Sequence, residues 1–168
     1  ADVVLAELGR RRTAGTLDRP IGGGDGFPAD AAAYERDLAA RHGITAARAA
    51  HLADLYGTRA EEVLAFCLGR ADDLPLDAGG ETTAGEIVFL IRNEVALRLG
   101  DILLRRTPLA IRGEISTAHI ERVAAIAAAE LGWSEAQRRA AVTDFVQEIG
   151  DFHGVSTEML ARRNRERR

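Results

Sequence analysis

The stretch from Thr82 to Thr107, TTAGEIVFLIRNEVALRLGDILLRRT, constrains the fold more than any other part of the chain. Ile87, Ile91, Val95, Leu99, Ile102 and Leu103 recur at helical spacing, and Leu90 widens the apolar stripe. The pattern predicts one long central helix over about 83–106. Thr83 is its expected N-cap, with Glu86 three residues on to complete a capping box. Arg105 and Arg106 fall where the helix dipole favours cations, and Pro108 ends the segment. At about 1.5 Å per residue such a helix spans roughly 34 Å, the width of a small domain. Arg92, Glu94, Arg98 and Asp101 in its middle exclude a membrane span. Gly100 weakens a helix interior, so a neighbouring helix is expected close by, with the alanine-rich 117–131 as the candidate.

The charges of this segment are its candidate structural ion pairs. Glu94 and Arg98 are four residues apart, as are Asp101 and Arg105, acid first in each case. Glu94 and Arg98 also border the apolar stripe. Two readings are open: solvated pairs worth about 0.3–0.5 kcal/mol each, or a partly buried Glu94 pinned by an arginine from another helix.

A length of 168 residues suits one domain, or one domain with an added piece. Apolar residues make up 46% and aromatics 5%, a balance suited to packed helices rather than sheets. All 22 basic residues are arginine. The closing RRNRERR contributes +4 to a net charge of −4, which leaves −8 on the body and makes a nucleic-acid partner unexpected. The single cysteine, Cys67, rules out an intrachain disulfide and reads as a small core residue. The first residue is alanine, and no leader or membrane segment is recognised, so a piece of a longer cytoplasmic protein is expected.

In chain order, residues 2–12 form a short amphipathic helix with Val4, Leu5 and Leu8 on one face. Residues 13–28 are a linker rich in glycine and proline. Within it Gly24 to Ala29 matches GxGxxA, but Pro20 breaks any preceding strand and Asp25 repels anions. Helices are expected from Ala29 to Arg41, from Thr45 to Gly57, and from a capping box at Thr58 and Glu61. A loop at 71–81 leads into the central segment, and a short extended stretch follows Pro108. Ser116 then caps 117–131, Ser134 with Gln137 caps a helix running to about Gly150, and a last helix begins at Ser156. The fold class is all-α, a compact bundle of six or seven helices around the central one.

No catalytic constellation emerges, and no cofactor-binding residue or metal ligand is assigned. His42, His51, His119 and His153 are scattered and read as capping or surface residues. His119-Ile120-Glu121 matches HxE without the thiolates a zinc deaminase requires. Glu94 and Asp101 are two turns apart, but their arginine neighbours argue for structure rather than acid–base work.

Three segments, read together, resemble one family. They are Leu55-Tyr56-Gly57-Thr58-Arg59-Ala60-Glu61-Glu62-Val63-Leu64, then Glu86, Glu94 and Asp101-Ile102-Leu103 leading to Arg105-Arg106-Thr107, and Glu130-Leu131-Gly132-Trp133-Ser134. They resemble the C-terminal domain of the FAD-dependent glycerol-3-phosphate dehydrogenases, over about residues 10 to 148. Arg12-Thr13 and Leu17 to Gly24 resemble the linker that leaves the flavin domain of that family.

The resemblance implies a parent enzyme that oxidises sn-glycerol 3-phosphate to dihydroxyacetone phosphate, with FAD taking the hydride and a quinone, or oxygen, taking the electrons. It implies residues 1–12 as the last helix of the flavin domain and 29–168 as a non-catalytic cap with a basic tail, holding no cofactor of its own. The expected partner is the parent's own FAD and substrate domain, met through Arg105, Arg106, Thr107 and the 71–84 loop. Self-association through residues 1–12 and contact of the arginine tail with a membrane surface are further expectations, with the parent peripheral at the inner face of the cytoplasmic membrane. The rival class is an independent helical interaction module with no enzymatic parent.

Overall fold

The computed structural model describes residues 2–11, 15, 19–78 and 80–166. Part of the 13–28 linker and the last two arginines lie outside the described residues. Among the described residues there are nine α-helices and one 3-10 turn: α1 Asp2–Glu7, α2 Ala31–His42, α3 Ala46–Tyr56, the turn Gly57–Arg59, α4 Ala60–Leu68, α5 Ala84–Asn93, α6 Leu99–Leu103, α7 Thr117–Leu131, α8 Glu135–His153 and α9 Thr157–Glu166. Among the described residues the fold is all-α, apart from one isolated bridge between Pro75 and Thr83.

Local chemistry sets most of the ends. Asp30, Thr45, Ser116 and Ser134 each accept a hydrogen bond from the backbone N–H three residues on. Ser134 and Gln137 complete a reciprocal capping box. Gly43, Gly132 and Gly154 close α2, α7 and α8 in the left-handed conformation that glycine adopts without strain. The helix starting at Ser134 therefore passes through Gly150 and ends at His153.

α5 is buried on every side, from Ala84 to Ile91. Sequences apolar all round belong in the middle of a core, and α4, α6 and α7 pack around this one, while α3 reaches it through Arg48, His51 and Tyr56. α2 covers α3, while α8 and α9 cover α7. Arg92, on the end of α5, reaches Glu130 on α7 at 2.7 Å and ties the two helices at the rim.

Three expectations are corrected. The single helix expected over 83–106 is two, because the chain breaks at residues 94–98. Val95 takes φ 54°, and the amides of both Glu94 and Ala96 turn back to the Leu90 carbonyl. A new helix then starts where the Arg98 N–H donates to the Asp101 carboxylate and the Asp101 N–H donates to the Arg98 carbonyl. The break sends Ala96 and Leu99 inward and Val95 outward, although Val95 continues the helical stripe in the sequence. Thr58 does not cap α4: the 3-10 turn intervenes, and the Thr58 hydroxyl donates to the Asp25 carbonyl at 3.0 Å. The stretch after Pro108 is a series of turns rather than extended chain.

Part of the glycine-rich linker is bound to the bundle. The Gly23 carbonyl accepts the Thr58 N–H at 2.9 Å, and a methyl group on Gly23 would overlap the Tyr56 carbonyl. Gly57 meets Gly23 in the same way, and both have positive φ. α1 contributes no buried residue.

Candidate functional site

The most concentrated chemistry lies under α5. Glu86, fully buried, sits one turn into that helix and faces α3. Arg48 donates to Oε2 of Glu86 at 2.6 Å, Tyr56 donates its hydroxyl to Oε1 at 2.9 Å, and His51 Nε2 lies 3.0 and 3.1 Å from the two oxygens. A carboxylate accepts only, so His51 carries its proton on Nε2. Arg48 also donates to Thr83 Oγ1 and to the Glu81 carbonyl. The expected capping box is thus half made. Thr83 accepts the Glu86 amide at 3.4 Å, but the Glu86 carboxylate leaves its own helix end for the arginine and histidine of α3.

Electrostatics follow from that geometry. Desolvation pushes the Glu86 carboxyl up, yet the hydrogen bonds and charges of His51 and Arg48 outweigh it and hold the group below the usual glutamate range. Tyr56 is raised, first by burial and then by the Glu86 charge, so its hydroxyl stays a donor. Cys67 borders the same cluster, 3.9 Å from Thr83 Oγ1, and burial pushes its thiol up to about 11. A thiol so protonated is no nucleophile at neutral pH. The cluster holds a buried charge; it does not activate a group.

A second buried pair lies close by. His119 Nε2 approaches Asp77 Oδ2 at 3.1 Å, and its Nδ1 lies 3.1 Å from both Ser116 Oγ and the Glu114 carbonyl. His51, Asp77 and His119 line a common cavity of about 20 Å³, room for about one water. His51 and His119 are therefore interior residues, not the surface or capping groups expected. His42 closes α2 and His153 closes α8.

The residues singled out in the central segment part company. Glu94 does not pair with Arg98, since the break carries the two apart in direction. It meets Arg106 at 2.9 Å and Arg59 at 3.6 Å, with its side chain one-fifth exposed. Arg59 also stacks over the Phe89 ring at 5.8 Å. Asp101 and Arg105 pair at 2.7 Å on the surface. Arg106 is thus engaged by Glu94, while Thr107 is buried with its hydroxyl donating to the Leu103 carbonyl at 3.3 Å. The close neighbour of Gly100 is Glu148 on α8 rather than a residue of α7: a methyl group there would come within 3.0 Å of Oε2.

Sequence reasoning missed the Glu86 cluster, and one signal pointed to it. Arg48 shares the buried face of α3 with Leu52 and Tyr56 at four-residue spacing, and His51 is one turn from Arg48. Polar groups on a buried face call for a partner charge.

The glycine-rich stretch before α2 forms no phosphate cradle for a flavin. The Gly24–Ala29 match follows no strand, and the start of α2 is already taken by the Asp30 carboxylate, which accepts the Ala33 N–H at 2.9 Å. A groove of about 410 Å³ has Arg163 and His153 as its polar lining, and Arg163 donates to the Ile115 carbonyl at 2.9 Å. A groove of about 370 Å³ beside Trp133 carries Arg98 together with Asp144 and Glu148, so two acids face one cation there. Among the described residues no group of acids, histidines and cysteine is placed to hold a metal ion, and no helix is long and apolar enough to cross a membrane.

These features define a helical domain with a charged, hydrogen-bonded core. The chain belongs to the family described as the C-terminal domain of alpha-glycerophosphate oxidase, whose model matches residues 14–138. It is therefore a helical C-terminal domain of a flavoenzyme family. No curated protein and no solved structure matches the chain.

Proposed function

We propose that this chain is the non-catalytic cap of a flavoenzyme that oxidises sn-glycerol 3-phosphate to dihydroxyacetone phosphate, and that it acts in packing, assembly or capping of the catalytic part. The single observation that carries the reading is the family match over residues 14–138. The three quoted segments support it, because they occupy the α3–α4 joint, the α5–α6 break and the α7–α8 joint, the corners that set how the helices turn.

On this reading FAD belongs to the rest of the enzyme, which supplies the hydride acceptor. Residues 29–168 form the cap, 13–28 the linker, and α1 the last helix of the flavin domain. Arg105, Arg106 and the 71–84 loop lie on the side facing that domain, whereas Thr107, being buried, acts only through the turn it holds. We take the electron acceptor to be a quinone reached from the cytoplasmic side of a membrane, with the arginine tail close to anionic lipid. The family description names an oxidase, in which oxygen takes that place.

The test compares the 168-residue chain with the whole enzyme. The chain alone is expected to be colourless and to oxidise no glycerol 3-phosphate with an artificial acceptor, while the whole enzyme carries flavin and does so. A chain that retains stoichiometric flavin, or a whole enzyme that lacks it, overturns the reading. Oxygen uptake measured against reduction of a soluble quinone decides the acceptor.

A further inference from the structure

We propose that the face formed by residues 94–98, with Arg59 and Arg106, is where this domain meets the flavin-binding part of its own enzyme; the assignment rests on the function proposed above. It begins with Val95. A β-branched residue at φ 54° is held there against steric strain, and such strain persists only where the surroundings over-determine it. The turn brings Ala96 and Leu99 into the core, yet the strained residue itself gains no burial: the Val95 side chain is 74% exposed and Leu97, two residues on, is 49% exposed. A turn that costs energy and presents two apolar side chains to water is accounted for by a partner that covers them.

The incoming chain is held beside this turn. The Thr58 N–H and hydroxyl bond the Gly23 and Asp25 carbonyls, and a methyl group on Gly22 would lie 4.0 Å from Arg59 Cδ. The polypeptide that precedes residue 22 is thereby delivered next to Arg59. Arg59 is joined through Glu94 to Arg106, at 3.6 and 2.9 Å. The delivered chain, the strained turn and an exposed cationic rim that includes Arg98 are therefore contiguous. The partner surface that fits is an apolar patch for Val95 and Leu97, edged by a carboxylate for Arg98.

A rival face exists beside Ile111 and Phe152, which are also exposed. Half of the lining of its groove, Ile149, His153, Val155 and Arg163, lies beyond residue 138, where the family match ends, and the other half lies within it. A surface that serves the family's shared partner falls wholly within the matched residues, as 94–98 does.

Hydrogen exchange of the whole enzyme and of the 168-residue chain tests the assignment. The amides of residues 94–98 are expected to exchange at least about tenfold more slowly in the whole enzyme, while those of 150–155 exchange alike in both. Equal exchange at 94–98 in an enzyme that carries flavin and oxidises glycerol 3-phosphate overturns this face and leaves the proposed function standing. A whole enzyme without flavin overturns both. Val95→Gly gives a second readout. It is expected to leave the melting temperature of the chain alone unchanged or raise it, and to weaken the protection of 94–98 in the whole enzyme. Protection unchanged by that variant overturns the proposal.

Discussion

Glu86 shows how a buried charge is kept inside a helical domain. Its two oxygens face Arg48, His51 and Tyr56, so removing the charge strands a guanidinium that is itself buried. Glu86→Gln is expected to destabilise the chain by about 3–5 kcal/mol, the range for breaking a buried pair from one side. Tyr56→Phe removes a single donor to the carboxylate, and about 1.5–3 kcal/mol is expected. The sign with pH follows from the depressed carboxyl. A folded-state value below the unfolded one stabilises the fold above the ordinary glutamate range, and that stabilisation fades as pH falls through the folded value. Melting temperature measured from neutral pH into acid is thus expected to decline more steeply in the parent chain than in Glu86→Gln. Parallel curves would sink the claim that Glu86 is ionised.

At the scale of elements, the α5–α6 break decides more than any one helix. It converts a straight rod into a corner, so that Leu99, Ile102 and Leu103 face α7 and α8 while α5 stays packed between α4 and α7. Gly100 sits at this corner against Glu148. Gly100→Leu is expected to lower stability by about 1–3 kcal/mol through overpacking. Adding Glu148→Ala should recover part of that loss in thermal melts, since the obstacle is a carboxylate at the end of a flexible side chain. No recovery would place the obstacle on α7 instead. The break was not legible because the apolar spacing runs through it unbroken: Val95 stands where a continuous helix would bury it. Asn93 was the local hint, and its side chain donates to the Phe89 carbonyl at 3.1 Å, competing with the helix ladder.

For the whole molecule the open question is what covers α1. Val3, Val4 and Leu8 are all more than half exposed, and apolar surface left in water forgoes about 25 cal/mol per Å². In the enzyme the flavin domain covers this face on the reading proposed above. In the chain alone a second copy is expected to cover it, so light scattering should show mass rising with concentration for residues 1–168 and constant monomer mass for a chain starting at Phe27. Concentration-independent monomers in both would remove self-association through residues 1–12.

What the sequence determined by itself is the helical class and most helix ends. Caps such as Ser116, Ser134 with Gln137, and Gly132 join groups three to five residues apart, and so are written in adjacent letters. The core membership of Ile87, Leu90 and Ile102 follows equally from periodicity. Tertiary structure alone decided the partners. Glu86 finds Arg48 and His51 from 38 and 35 residues away, Glu94 takes Arg106 and Arg59 in place of the neighbouring Arg98, and Gly23 seats against Gly57. Helical spacing tells which residues share a face, but not which other face will meet it. That choice is made when several helices pack at once, and a charge leaves its nearest sequence neighbour for whichever opposite group burial brings within reach.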